Sequence, residues 1–179
     1  MPKVKANLTD LKQLEKNMTK LVAAAGVTKV CKFSLFEGAS VAADELRKSV
    51  NGLNRVTDVE AIHGWEKMTP TLISVSQKNG LRAGLGVTKI RTRGGVWSVR
   101  VGFDGYNSVV TKRWPKGQPN QMIAASCEHG SSAMLEQPFI RPTFQRCEDE
   151  LKKALEDKAK EKIEEILNEG LSEQGGSSL

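Results

Sequence analysis

Apolar residues return at three- and four-residue steps through the first quarter of the chain, and this rhythm predicts two helices. Leu8, Leu11, Leu14, Met18, Leu21, Val22 and Ala25 form one stripe, with Asn7 placed as cap and Asp10 in the first turn. Lys12, Lys16 and Lys20 lie four apart on another face, which reads as solvated. A second helix is predicted from about Val30 to Val50 through Phe33, Phe36, Ala39, Ala43 and Leu46. Gly38 weakens it slightly, and Asn51-Gly52 is a strong stop. Residues 51–60 read as loop. Asp58 is placed to begin a short helix containing Ile62 and Trp65. Thr69-Pro70 reads as the cap and first residue of another helix through Leu72, Ile73 and Val75, ended or bent at Asn79-Gly80.

The period then drops to two. In VWSVRVGF, Trp97, Val99, Val101 and Phe103 point one way while Ser98, Arg100 and Gly102 point the other. GLGVTKIRTRGG precedes it as a shorter strand, and Gly94-Gly95 is the turn. The polar face of this hairpin carries Arg100, with Arg91 and Arg93 beside the turn. Gly105, Pro115, Gly117 and Pro119 rule out a regular element through most of the next stretch. A short helix capped by Asn120 is expected over Met122–Glu128. Pro142 suits the first turn of a final helix, where its missing N–H is not needed. That helix is expected to run through Phe144, Cys147, Leu151, Leu155, Ile163 and Ile166/Leu167 to about Asn168, with Gly170 as its stop.

These elements predict an α+β domain over residues 1–170: two N-terminal helices, a small, mainly antiparallel sheet around 85–103, and a long C-terminal helix packed against it. Residues 171–179 form a flexible polar tail. No run approaches 18 apolar residues, and no hydrophobic stretch follows the charges of the N-terminus, which predicts a soluble, cytoplasmically made protein without a membrane partner.

Charge is unevenly spread. The net +6 conceals a middle segment, residues 78–117, with nine Lys or Arg against Asp104 alone. From residue 146 onward, six basic residues face ten acidic ones. Such asymmetry suits nucleic acid, or subunits that pair a basic face with an acidic one. In the basic segment, Arg91, Arg93, Arg100, Lys112, Arg113 and Lys116 are the candidates for a DNA channel or an acidic partner. No helix-turn-helix, zinc finger or ribonucleoprotein motif is present, which argues against sequence-specific readout.

Enzymatic chemistry finds little support. Cys31, Cys127 and Cys147 are far apart with no Cys-x-x-Cys pair, which argues against a disulfide framework and against zinc. His63 and His129 lack ligand spacing. No Gly-x-Ser-x-Gly, P-loop or phosphate-cradling glycine motif occurs. Glu128-His129 is a conceivable acid–base pair, but sequence neighbours seldom point into one site. No cofactor, metal or catalytic residue is expected.

Pro138-Phe139-Ile140-Arg141-Pro142 is the most unusual local chemistry. Two prolines four apart stiffen the backbone, and Phe139 and Ile140 between them require burial. One reading is a helix start stapled to its own core. The other is a rigid arm that docks on a neighbouring subunit, with Arg141 available to pair with an acid such as Glu128.

VRVGFDGYN, KGQPNQMIAASCEHGSS and QPFIRPTFQ resemble the tail-component family of siphophages, small morphogenesis proteins that include tail-completion and neck proteins and are compared with the minor tail protein Z of phage lambda. The family signature is Glu-x-Gly-Thr, a short loop, then Pro-Phe-hydrophobic-Arg-Pro and a helix. Glu128, Gly130, Pro138, Phe139, Ile140, Arg141 and Pro142 match it, with Ser131 where Thr is usual. The specific match covers residues 85–145, and GASVAADELRK resembles the family's Ala-rich second helix. NGLNRVTDVEAIHGW stands where many members carry a Pro-x-x-Thr-Gly-x-Leu turn.

The resemblance implies a virion structural protein of the neck or tail, assembled in the host bacterial cytoplasm as a hexameric ring at the head–tail junction. Its partners would be head-completion or connector proteins and tail terminator or tail tube proteins. The matched residues would form the subunit or partner interface. A tail-terminator ring, or a non-specific nucleic-acid-binding protein, is the alternative.

Overall fold

The structure, a computed structural model, describes residue 19 and residues 23–172. The helix expected from Asn7 therefore lies outside the described residues except at its end, and so does most of the C-terminal tail. The fold is α+β. Its frame is an antiparallel pair of long helices, α1 (Ala24–Gly52) and α5 (Ile140–Ser172). At 1.5 Å per residue each spans more than 40 Å. Lys29 reaches Glu165 at 2.8 Å near one end, and Ser49 meets Thr143 at 2.6 Å near the other. Midway, a Cβ added at Gly38 would lie 2.8 Å from Leu155 Cγ. The glycine that weakens the helix in isolation thus gives α5 its close approach. The inner face of α1 continues through Ala39, Ala42, Ala43, Leu46 and Val50, all buried. The helix stops at Gly52, as the Asn-Gly pair predicts, while α5 continues two residues past Gly170.

Between the two long helices the chain builds three two-stranded sheets and three short helices. β1 (Arg55–Val56), in the stretch read as loop, pairs in parallel with β2 (Ile73–Ser74). α2 (Asp58–Glu66) begins where Asp58 was placed, through a capping box between Thr57 and Glu60. Thr69-Pro70, by contrast, starts no helix. α3 (Val75–Gly84) begins five residues later, where Ser74 and Gln77 form a second capping box that satisfies two helix N-terminal donors. Gly80 does not stop α3, because hydrogen bonding continues through it. A Cβ there would sit 2.4 Å from Asn107 Cβ, so the residue allows α3 to lie against the 104–107 loop. Asn120 is not a cap either. It is the first residue of α4 (Asn120–His129), preceded by Pro119, and its side-chain Nδ2 donates to the Asp104 carbonyl at 2.7 Å.

The hairpin forms with a break that its hydrophobic pattern does not reveal. β3 (Leu85–Val87) pairs with β6 (Val101–Phe103), and β4 (Arg91–Arg93) pairs with β5 (Val96–Ser98), both antiparallel. Gly94 and Gly95, at φ +57 and +78, make the two-residue turn. The strand expected to run unbroken through 96–103 is therefore two. Thr88 N–H donates to the Arg100 carbonyl at 2.8 Å, and Arg100 N–H turns to the Thr88 hydroxyl at 3.1 Å. Beyond that pair, Lys89 and Ile90 together oppose Val99 alone before Arg91 meets Ser98. This is a β-bulge, one extra residue in the first strand.

The central core packs Leu46 and Val50 of α1, Ile73, Leu81 of α3, Ile123 and Cys127 of α4, Met134 and Phe139. Beside it, the buried Lys78 ammonium donates to the Asn51 and Leu53 carbonyls at 2.8 and 2.7 Å. It thereby closes the C-terminus of α1, where free carbonyls favour a cation. Among the described residues no helix is long and apolar enough to cross a membrane.

Candidate functional site

Helix α4 ends in Cys127-Glu128-His129, and Gly130 terminates it at φ +70, ψ 167, a backbone conformation open to glycine. The chain then doubles back. Ser131 exchanges backbone hydrogen bonds with Met134 at 2.8 and 3.3 Å, and its hydroxyl accepts from Met134 N–H at 3.0 Å. Leu135 N–H donates to the Thr71 carbonyl at 2.8 Å. Gln137 clips the loop at a second point. Its Oε1 accepts from Asn54 N–H and its Nε2 donates to the Asn54 carbonyl, both at 3.0 Å.

The doubled chain brings the start of α5 onto Glu128. Its Oε2 accepts the backbone N–H groups of Phe139 at 2.8 Å and Ile140 at 2.7 Å, and its Oε1 that of Arg141 at 2.9 Å. The first N–H groups of a helix have no partner within it, and a carboxylate there also meets the positive end of the helix dipole. Burial pushes the Glu128 carboxyl up. The backbone donors of Arg141, Ile140 and Phe139, with His129 beside them, outweigh burial and hold it below the usual carboxylate range. Glu128 is thus an ionised cap supplied by one helix to another.

The expected pairing of Glu128 with Arg141 is made by the Arg141 backbone, and its side chain stands exposed. Phe139 is buried at 4% exposure, with its ring edge-on to Phe103 at 5.8 Å. It is a staple into the chain's own core. Ile140 is half-buried, and Pro138, Arg141 and Pro142 are exposed. The matched residues therefore divide into an internal joint (Glu128, Gly130, Phe139) and a surface (Pro138, Arg141, Pro142). Of these, Arg141 lines a groove of about 800 Å³ between the β3–β6 sheet, α4 and the first turn of α5, whereas Pro138 and Pro142 line a separate hollow with Ser49 and Arg146. Val101, Phe103, Ala124 and Phe144 give the groove apolar walls, and Arg100, His129, Arg141 and Asp104 lie along its edge.

Arg91, Arg93, Arg100, Lys112, Arg113 and Lys116 are all exposed. The bulge decides how they group. Side chains alternate along a strand, and Leu85 and Val87 face inward with Phe103 and Val101. An unbroken strand would put Arg91 and Arg93 on that inward face. The extra residue reverses the alternation, so Arg91 and Arg93 share the outward face with Val96, Ser98 and Arg100. Trp97 takes the inward side, with the Lys32 ammonium of α1 5.7 Å from its ring centre. Lys112, Arg113 and Lys116 belong to a separate loop. There Arg113 lies over Trp114 at 5.5 Å and lines a smaller hollow with Trp65 and Met122.

Sequence reasoning missed the Gln137–Asn54 clip, the bulge and the groove. A glutamine before Pro-Phe carries no distinguishing local signal, while Thr88 and the β-branched Ile90 read as ordinary strand residues. The buried Cys127 thiol is pushed up to about 11 by burial and by the Glu128 charge. A thiol so held is protonated at neutral pH and a poor nucleophile. Among the described residues no group of three or more His, Cys, Asp or Glu is placed to hold a metal ion. Comparison of the chain with family models, curated proteins and solved structures finds no significant match.

Proposed function

We propose that the protein is a phage virion component of the head–tail junction, a tail-completion or neck ring that joins the tail to the DNA-filled head. The observation that carries this reading is the placement of opposite charge on separate elements. The ribbon presents Arg91, Arg93 and Arg100 outward, while the segment from Arg146 onward, most of it α5, holds ten acids against six bases. A closed ring requires a heterologous contact, in which one patch meets a different patch on the next copy. The signature residues support the same reading. Glu128 is saturated by backbone donors and Cys127 is held protonated, which suits a rigid joint better than a reaction centre. In this role the ring sits between head-completion or connector proteins and the tail terminator or tail tube, and terminating tail growth is a variant of the same role.

The test is electron microscopy of lysates from a phage whose copy of this gene is disrupted. DNA-filled heads beside unattached tails are the expected outcome, and normal virions would overturn the proposal. The outward arginine row also suits DNA backbone contact. In that case affinity for DNA falls steeply with salt through counterion release, and the purified protein shows it directly.

A further inference from the structure

The groove beside Glu128 has a counterpart elsewhere on the same chain. α2 exposes Val59 (63%) and Ile62 (46%), one helical turn apart and so on one face. Met68, just beyond the helix, is 89% exposed and holds φ +52, the sole non-glycine with positive φ among the described residues. Left-handed backbone is costly for such a side chain, and here it projects the methionine into solvent. Glu60 and Glu66 are exposed on the same helix. His63 and Lys67 are exposed beside them, so the apolar ridge is flanked by two acids against one lysine and carries a net negative edge. The groove has apolar walls and the opposite net charge at its exposed edge, Arg100, Arg141 and His129 against Asp104, while the Glu128 carboxylate in its lining is buried under backbone donors.

The two surfaces lie apart in one molecule. Gln121, Ala124, Ala125 and Glu128 of α4 line the groove, whereas Met122, Ile123 and Ser126 line the hollow that contains Trp65 of α2. α2 and the groove are therefore on opposite sides of α4 and are not joined within one chain. We infer that the Val59–Ile62–Met68 ridge of one copy seats in the Arg100/Arg141 groove of the next, a head-to-tail contact between copies of this chain. Charge complementarity selects a second copy as the occupant. Exposed apolar side chains at the centre, with charges around them, match the anatomy of protein interfaces. Because the ridge and the groove differ, each copy uses both, and the contact propagates until it closes. The inference adds an apolar contact to the opposite-charge contact of the ring reading and rests on that reading for its setting.

Sedimentation velocity on the full-length protein, over a concentration series, tests it. Ile62→Asp with Met68→Asp removes the ridge, and Ala125→Trp, at an exposed position, fills the groove. Each variant is expected to weaken self-association about thirtyfold or more, as loss of central interface side chains does. Mixed together, they retain one good ridge and one good groove, and give a one-to-one dimer and nothing larger. Glu66→Lys and Arg141→Glu form a gentler pair in case the first variants misfold, as judged by circular dichroism. Each alone weakens association, and both in one chain restore it. A wild-type protein that stays monomeric, variants that associate like wild type, or a mixture that stays monomeric would each overturn the contact. Free tails in the disrupted phage, together with ridge variants that assemble normally, would keep the joining role and reject this surface. Normal virions from the disrupted phage, with self-association lost in the variants, would do the reverse.

Discussion

The Glu128 carboxylate receives the Ile140 backbone N–H at 2.7 Å, so the last turn of one helix supplies the acceptor that opens another twelve residues later. Phe139 and Arg141 donate to the same carboxylate, at 2.8 and 2.9 Å. The loop between is fixed at Thr71 and Asn54. Through this joint the α1–α5 frame and the α4 body hold one orientation.

The joint has a pH signature. The folded Glu128 carboxyl lies below its ordinary value of 4.5, so the unfolded chain binds the proton more readily. Its contribution is full above that ordinary value and is lost as pH falls through the lower folded value. Glu128→Gln is expected to cost about 2–3 kcal/mol near neutrality, the order of charge-assisted hydrogen bonds. Urea unfolding at a series of pH values checks this. The gap between wild type and variant should be widest at neutral pH and narrow below 4.5.

Gly130→Ala should be more damaging than a surface exchange. At φ +70 and ψ 167 a β-carbon meets its own backbone, and the expected loss is about 2 kcal/mol. A lowered melting temperature with unchanged helical circular dichroism is the anticipated result, because the turn is strained while the helices remain.

Lys78 carries a comparable load at the C-terminus of α1. Lys78→Met keeps the side-chain length and removes the ammonium, leaving the Asn51 and Leu53 carbonyls without that donor. A loss of about 2 kcal/mol is expected, read by chemical denaturation. Hydrogen exchange should show its largest increase in the last turn of α1.

The arginine row predicts the opposite combination. Arg91, Arg93 and Arg100 are exposed, so changing all three to Glu should leave the melting temperature within about 2 °C, as surface substitutions do. Assembly should fail nonetheless, and complementation of a disrupted phage by the triple variant measures it. Normal infectivity would remove the row from the interface.

The three thiols should separate in reactivity. Cys127 and Cys147 are buried and their thiols are pushed up by burial, Cys127 to about 11. Cys31 is partly exposed. A thiol reagent at neutral pH is expected to label Cys31 first and the other two on unfolding. Mass spectrometry of the labelled peptides decides it.

Local chemistry in the sequence determined a good deal. The Asn51-Gly52 stop, the Gly94-Gly95 turn, the α2 start at Asp58 and the first-turn Pro142 are all where it places them. Each depends on neighbours within about four residues, the range over which caps and turns act. Tertiary structure decided the rest. Ser74 prevails over Thr69 as a helix start, where strand pairing with Arg55–Val56 leads directly into a complete capping box. Asn120 gives up its capping role to reach Asp104, a partner sixteen residues back. Above all, the side of the ribbon that shows Arg91 and Arg93 depends on one extra residue opposite Val99. Period two reads the same on either face, so strand composition alone leaves that side open, and the register of the partner strand fixes it.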